Sequence, residues 1–141
     1  MKIQALVLLI ICLTFNLSLF AEEKLSDVDQ EALRNTQKLL NDASDRQEFI
    51  DKSKDAQKTD QMVDQLVKSP EQKARMYKLA SEIFGDMVKG AEGDADKMAE
   101  LLQQGAKDPE SFMRKLSSEN QKKIQGLAED IEKTSGNVPS K

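Results

Sequence analysis

The chain has 141 residues, 21 basic against 25 acidic side chains, a single cysteine and no histidine. That length bounds it to one modest domain, and the missing imidazole removes the commonest general base and most transition-metal ligand sets. Charges of both signs are interspersed without a basic stripe or Arg–aromatic interleaving, which argues against nucleic-acid binding.

Residues 1–21 have the three parts of an export signal. Lys2 supplies the positive start, an apolar run centred on Ala5-Leu6-Val7-Leu8-Leu9-Ile10-Ile11-Cys12-Leu13 follows, and Ala21 precedes the abruptly acidic Glu22-Glu23. Cleavage after Ala21 is expected, although Leu19 is larger than the position three residues before ideally holds. The alternative is a retained anchor, since a spanning helix needs ~20 apolar residues. Both readings place the body across a membrane, periplasmic or extracellular, with membrane contact only through the signal segment if it stays uncleaved. Cys12 is read as filler of the apolar run, because Ile11 is too large for a lipidation site. Cleavage would leave a mature chain without any thiol.

Beyond the signal the pattern is helical throughout, with recurrent capping residues and no period-two alternation. Ser26 is placed to cap a first helix reaching Asn41, with Val28, Ala32, Leu33, Leu39 and Leu40 on its apolar side. Ser44-Asp45-Arg46-Gln47 reads as a capping box opening a second helix that carries Phe49, Ile50 and Ala56, then Met62, Val63, Leu66 and Val67. Its polar middle, residues 51–61, is either a solvent-wrapped bridge or a weakly ordered join.

Ser69-Pro70-Glu71-Gln72 is the clearest start, combining cap, first-turn proline and box glutamine. Met76, Tyr77, Ala80, Ile83, Phe84, Met87 and Val88 then form a broad apolar stripe that ends at Gly90. Asp94 is expected to cap a short helix with Met98, Leu101 and Leu102, closed by Gly105, and Asp108-Pro109 another with Phe112 and Leu116. Ser118-Glu119-Asn120-Gln121 opens a last helix with Ile124, Leu127, Ala128 and Ile131 in line. The expected fold is all-α: a small antiparallel bundle of about five to six helices after the signal peptide. Residues 22–68 form a two-helix segment that packs on the rest or extends from it, residues 69–134 a compact helical domain, and residues 135–141 a flexible tail.

No cofactor and no enzymatic activity are expected. Asp94-Ala95-Asp96 and Asp27-Val28-Asp29 begin like calcium loops, but the sixth and twelfth positions hold Ala99 and Gly105 or Ala32 and Lys38 where glycine and glutamate are required. The carboxylates sit among lysines and glutamines with no pair set apart for glycosidic chemistry. Met62, Met76, Met87, Met98 and Met113 suit gap-filling in a core or an adaptable binding surface better than copper.

Ser69-Pro70-Glu71-Gln72-Lys73 and Ser118-Glu119-Asn120-Gln121-Lys122 resemble the LTxxQ signature of the Spy/CpxP group of periplasmic stress chaperones, with Ser in place of Thr, and Lys68 and Ser117 in place of Leu. The resemblance implies a cradle-shaped, dimeric client-binding protein. From the residues alone, the expected function is contact with another protein or an envelope component, chaperone- or adaptor-like, through a face made of Met76, Tyr77, Ile83, Phe84, Met87 and Phe112. A homodimer fits such a face. The alternative is a carrier of a lipid or other apolar ligand walled by Tyr77, Phe84, Met87 and Phe112.

Mass spectrometry of the exported protein tests the signal reading directly. The expected product begins at Glu22 and takes up no maleimide, whereas a retained anchor keeps Cys12 available for labelling.

Overall fold

The computed structural model describes residues 9–10 and 28–136. Among these the chain is all-helical, with seven helices in succession across residues 28–136 and no strand. They are α1 (Val28–Asn41), α2 (Ala43–Lys52), α3 (Lys54–Leu66), α4 (Pro70–Gly90), α5 (Ala95–Lys107), α6 (Pro109–Lys115) and α7 (Ser118–Gly136). Leu9 and Ile10 are also helical. The rest of the expected signal, its junction at Ala21, the expected cap Ser26 and residues 137–141 lie outside the described residues.

Local chemistry explains most boundaries. Ser69 accepts a hydrogen bond from the Gln72 N–H (3.1 Å), and Gln72 Oε1 accepts one from the Lys68 N–H (2.8 Å). This is the reciprocal arrangement of a capping box, reaching one residue further back than the usual partner. Asp94 accepts from the Lys97 N–H and Asp108 from the Ser111 N–H, with Pro109 in the first turn of α6. Carboxylates at these sites also favour the positive end of the helix dipole.

Other boundaries differ from the sequence expectation. α2 is capped by Asp42, whose carboxylate accepts from the Ser44 and Asp45 N–H groups, so Ser44 lies inside the first turn. α7 is capped by Ser117, which accepts from the Asn120 N–H, rather than by Ser118. α5 runs through Gly105 to Lys107. Gly90 ends α4 without a left-handed conformation, which falls instead on Glu92 and Gly93 in the following turn. α7 continues to Gly136, with the Ser135 hydroxyl bonded to the Ile131 carbonyl.

The single helix expected between Ser44 and Val67 is broken at Ser53, which brings the count to seven. Ser53 is extended (φ −121°, ψ 115°). Its N–H reaches the Phe49 and Ile50 carbonyls, and its hydroxyl accepts from the Ala56 N–H, so one residue closes α2 and opens α3. The cause is phase. Ile50 and Ala56 are both buried but lie six residues apart, a spacing that one straight helix does not hold on one face. The break re-aims the stripe so that Ala56, Thr59 and Val63 turn inward together.

α4 is the central element, lying against α1, α5 and α7. Met76, Ala80, Ile83 and Phe84 on its inner side have 1% or less of their surface exposed. They share one buried cluster with Leu40 of α1, Val63 of α3, Met98 and Leu102 of α5, Phe112 of α6, and Ile124, Leu127 and Ile131 of α7. The first helices therefore pack on the remainder instead of extending away. Leu9 and Ile10, at 5% and 1% exposed, belong to the same cluster. With aromatics scarce, packing depends on aliphatic and Met side chains.

Truncating Phe84 to alanine is expected to cost about 3–5 kcal/mol in urea unfolding. Met62, 52% exposed, serves as the control, where alanine should change stability by no more than about 0.5 kcal/mol.

Candidate functional site

The six residues read as an interaction or ligand face come from two helices. Met76, Tyr77, Ile83, Phe84 and Met87 lie at helical spacing on α4, and Phe112 lies in the short α6. The structure brings all six into the buried cluster, each at 4% exposure or less. In this state they face other helices and present no open surface. The wall proposed for an apolar ligand, Tyr77, Phe84, Met87 and Phe112, is packed within the same cluster.

Tyr77 is the one of the six that also carries polar chemistry. Its hydroxyl donates to Asp60 Oδ1 (2.6 Å), and Lys73, one turn earlier on α4, reaches Asp60 Oδ2 (2.9 Å) and Asp64 Oδ1 (2.7 Å). The Arg46 guanidinium lies 4.0 Å from the centre of the Tyr77 ring and donates to the Leu39 and Leu40 carbonyls near the end of α1. One cation thus satisfies helix-end acceptors and contacts the negative face of an aromatic ring. Burial, the hydrogen bond to Asp60 and that carboxylate's charge push the Tyr77 phenol well above its ordinary value, against a smaller pull from Arg46. Burial also works against the Lys73 ammonium, but hydrogen bonds to Asp64 and Asp60 prevail and hold its pKa above the ordinary lysine value.

This network has the ingredients of proton-transfer chemistry but not the access. The phenol keeps its proton, its carboxylate partner is shared with an ammonium, and the ring is 3% exposed. Its physical effect is to tie α1, α2, α3 and α4 to one another. Tyr77 stands out in the sequence as part of an apolar stripe, whereas Asp60, Lys73 and Arg46 do not stand out there. The available signal was a pair of four-residue spacings, Asp60 to Asp64 and Lys73 to Tyr77, which gives each pair a shared helix face.

A second polar set joins α4 to α7. The Asn120 side chain, 4% exposed, donates to Asp86 Oδ2 (2.7 Å). Burial raises the Asp86 carboxyl, yet hydrogen bonds from the Ser117 side chain, the Asn120 side chain and the Ser117 N–H outweigh it and hold the group below its ordinary value. Among the described residues no three His, Cys, Asp or Glu side chains gather in a metal-holding group, and no helix is long and apolar enough to cross a membrane. The chain matches no protein-family profile, no curated protein and no solved structure.

Asp86 generates a pH prediction. A carboxyl with a depressed folded pKa contributes stability that is complete above its unfolded value, near 3.8, and is lost as pH falls through the folded value. Asp86→Asn should therefore be less stable than the parent at pH 6, with the gap narrowing as the pH drops below 3.8. Urea midpoints across the acid range measure this; a gap independent of pH would show that the ionised carboxylate is not what holds the joint.

Proposed function

We propose that the chain is an exported, non-enzymatic helical protein that works by contact with another protein or an envelope component, in a chaperone- or adaptor-like manner. In this reading it is a small antiparallel bundle behind a signal segment removed after Ala21. Antiparallel pairing of its longest elements is supported by contacts between α4 and α7 at Gln72–Thr134, Arg75–Asp130, Glu82–Lys123 and Asp86–Asn120, where one number rises as the other falls.

The observation that carries the proposal is the place of Leu9 and Ile10. Both belong to the segment read as the export signal, and both are buried in the cluster that contains Met76 and Phe84. Burial of two such side chains stabilises a fold by roughly 3–6 kcal/mol. Export with cleavage takes that contribution away and leaves the cluster short of two aliphatic side chains. The released chain then has apolar surface to cover, and an apolar segment of a partner supplies what the signal supplied before. Methionines at positions 76, 87 and 98 in the same cluster let such a surface adapt to partners of different shape.

The test compares protein recovered after export with full-length chain that retains the signal. The exported form should suppress aggregation of a reductively unfolded client at near-stoichiometric ratio, and the full-length form should do so less well. Absence of suppression by the exported form would remove the chaperone reading, and lipid co-purifying with it would shift the reading to an apolar-ligand carrier.

A further inference from the structure

α4 and α7 leave a surface groove between them of ≈ 490 Å³, lined by Arg75, Lys78 and Glu82 on one wall and Glu119, Lys122 and Lys123 on the other. Lys123 is taken up by Glu82 (2.7 Å) and Glu119 (2.8 Å), and Arg75 pairs with Asp130. Lys78 and Lys122 have no carboxylate partner among the described residues. A chain with formal charge −4 thus presents two uncommitted ammonium groups along one recess, one from each wall.

The floor adds an independent observation. Gly126 lines the groove in the interior of α7, where glycine weakens a helix. A Cβ placed there would meet no atom within 4 Å, so close packing of the protein does not call for a glycine. What the missing side chain leaves is open groove. Leu79 and Leu127 also line the recess and are themselves buried, which gives it a closed apolar base under a cationic rim.

We propose that this groove docks an extended acidic segment of a partner protein, with neighbouring Asp or Glu side chains meeting Lys78 and Lys122 and the backbone passing over Gly126. Successive side chains of an extended strand point to opposite sides, which matches one cation on each wall. From Arg75 to Glu82 the α4 wall is about 10 Å long at a rise of 1.5 Å per residue, the reach of about three extended residues. The recess favours a narrow peptide over a flat anionic bilayer, because its floor at Leu79, Gly126 and Leu127 lies between two helices, where a single extended chain reaches and a flat surface does not. The inference is independent of the signal segment and of the chaperone reading.

The test uses the full chain at low ionic strength, where such contacts are least screened. A fluorescein-labelled five-residue peptide with two adjacent glutamates is titrated by anisotropy, beside its glutamine counterpart. The acidic peptide should bind saturably and the glutamine peptide should not. Lys78→Gln with Lys122→Gln should weaken binding at least tenfold. Gly126→Leu should also abolish binding by filling the groove, while its thermal midpoint stays equal to or above the parent's, which separates blockage from misfolding. Failure of the parent to bind, or undiminished binding by either variant, overturns the proposal. So does sedimentation with anionic phospholipid vesicles that depends on Lys78 and Lys122 when the peptide does not bind.

Discussion

α1, α5, α6 and α7 are each placed, directly or through one neighbour, by the inner side of α4. Met76, Ala80, Ile83 and Phe84 follow one another at spacings of four, three and one residues and are sealed from solvent. α1, α5 and α7 each rest on that helix. The chain has a single cysteine, so no disulfide within it assists the fold. Cohesion depends on how completely this seam is covered, and small domains have little surplus to lose.

Polar contacts then select one arrangement of the helices among those that would cover the seam. Arg46 joins the end of α1 to the Tyr77 ring, Asp60 receives both Tyr77 and Lys73, and Asn120 reaches Asp86 across the α4–α7 joint. Buried and half-buried groups of this kind are costly if left unpaired, so a shifted register would forfeit several bonds together. The exposed pairs within single helices, such as Lys52 with Glu48 or Lys133 with Glu129, contribute little to that choice.

The same economy of core material connects fold to function. The most conspicuous apolar face of the chain is consumed by its own packing. Surface available to a partner must then come from what leaves the core or from what the core leaves open. Leu9 and Ile10 would represent the first case under the cleavage proposed above, and the groove over Gly126 represents the second. The two differ in chemistry, one aliphatic and one cationic, and are suited to different partners.

The helices themselves were largely legible in the sequence. Ser69 with Gln72, Asp94 and Asp108 with Pro109 are capping signals that act within four residues, so their outcome follows from local order. The stripe from Met76 to Val88 was equally plain, and so was its apolar purpose. Where local signals compete, neighbouring residues take the role: Asp42 caps in place of Ser44, Ser117 in place of Ser118, and Ser53 divides a helix whose apolar positions are out of phase. What no local pattern contained was the choice of partners. That Met76, Tyr77, Ile83, Phe84, Met87 and Phe112 are covered rather than open, that Asp60 meets Tyr77, and that Leu9 and Ile10 sit in the core are decisions about pairs of segments distant in sequence. The sequence by itself determined an all-helical chain with its caps and apolar stripes, because those depend on bonds spanning three or four residues. Only the tertiary structure decided which stripe covers which, because burial is settled by the sum of contacts over the whole chain and no single helix holds that information.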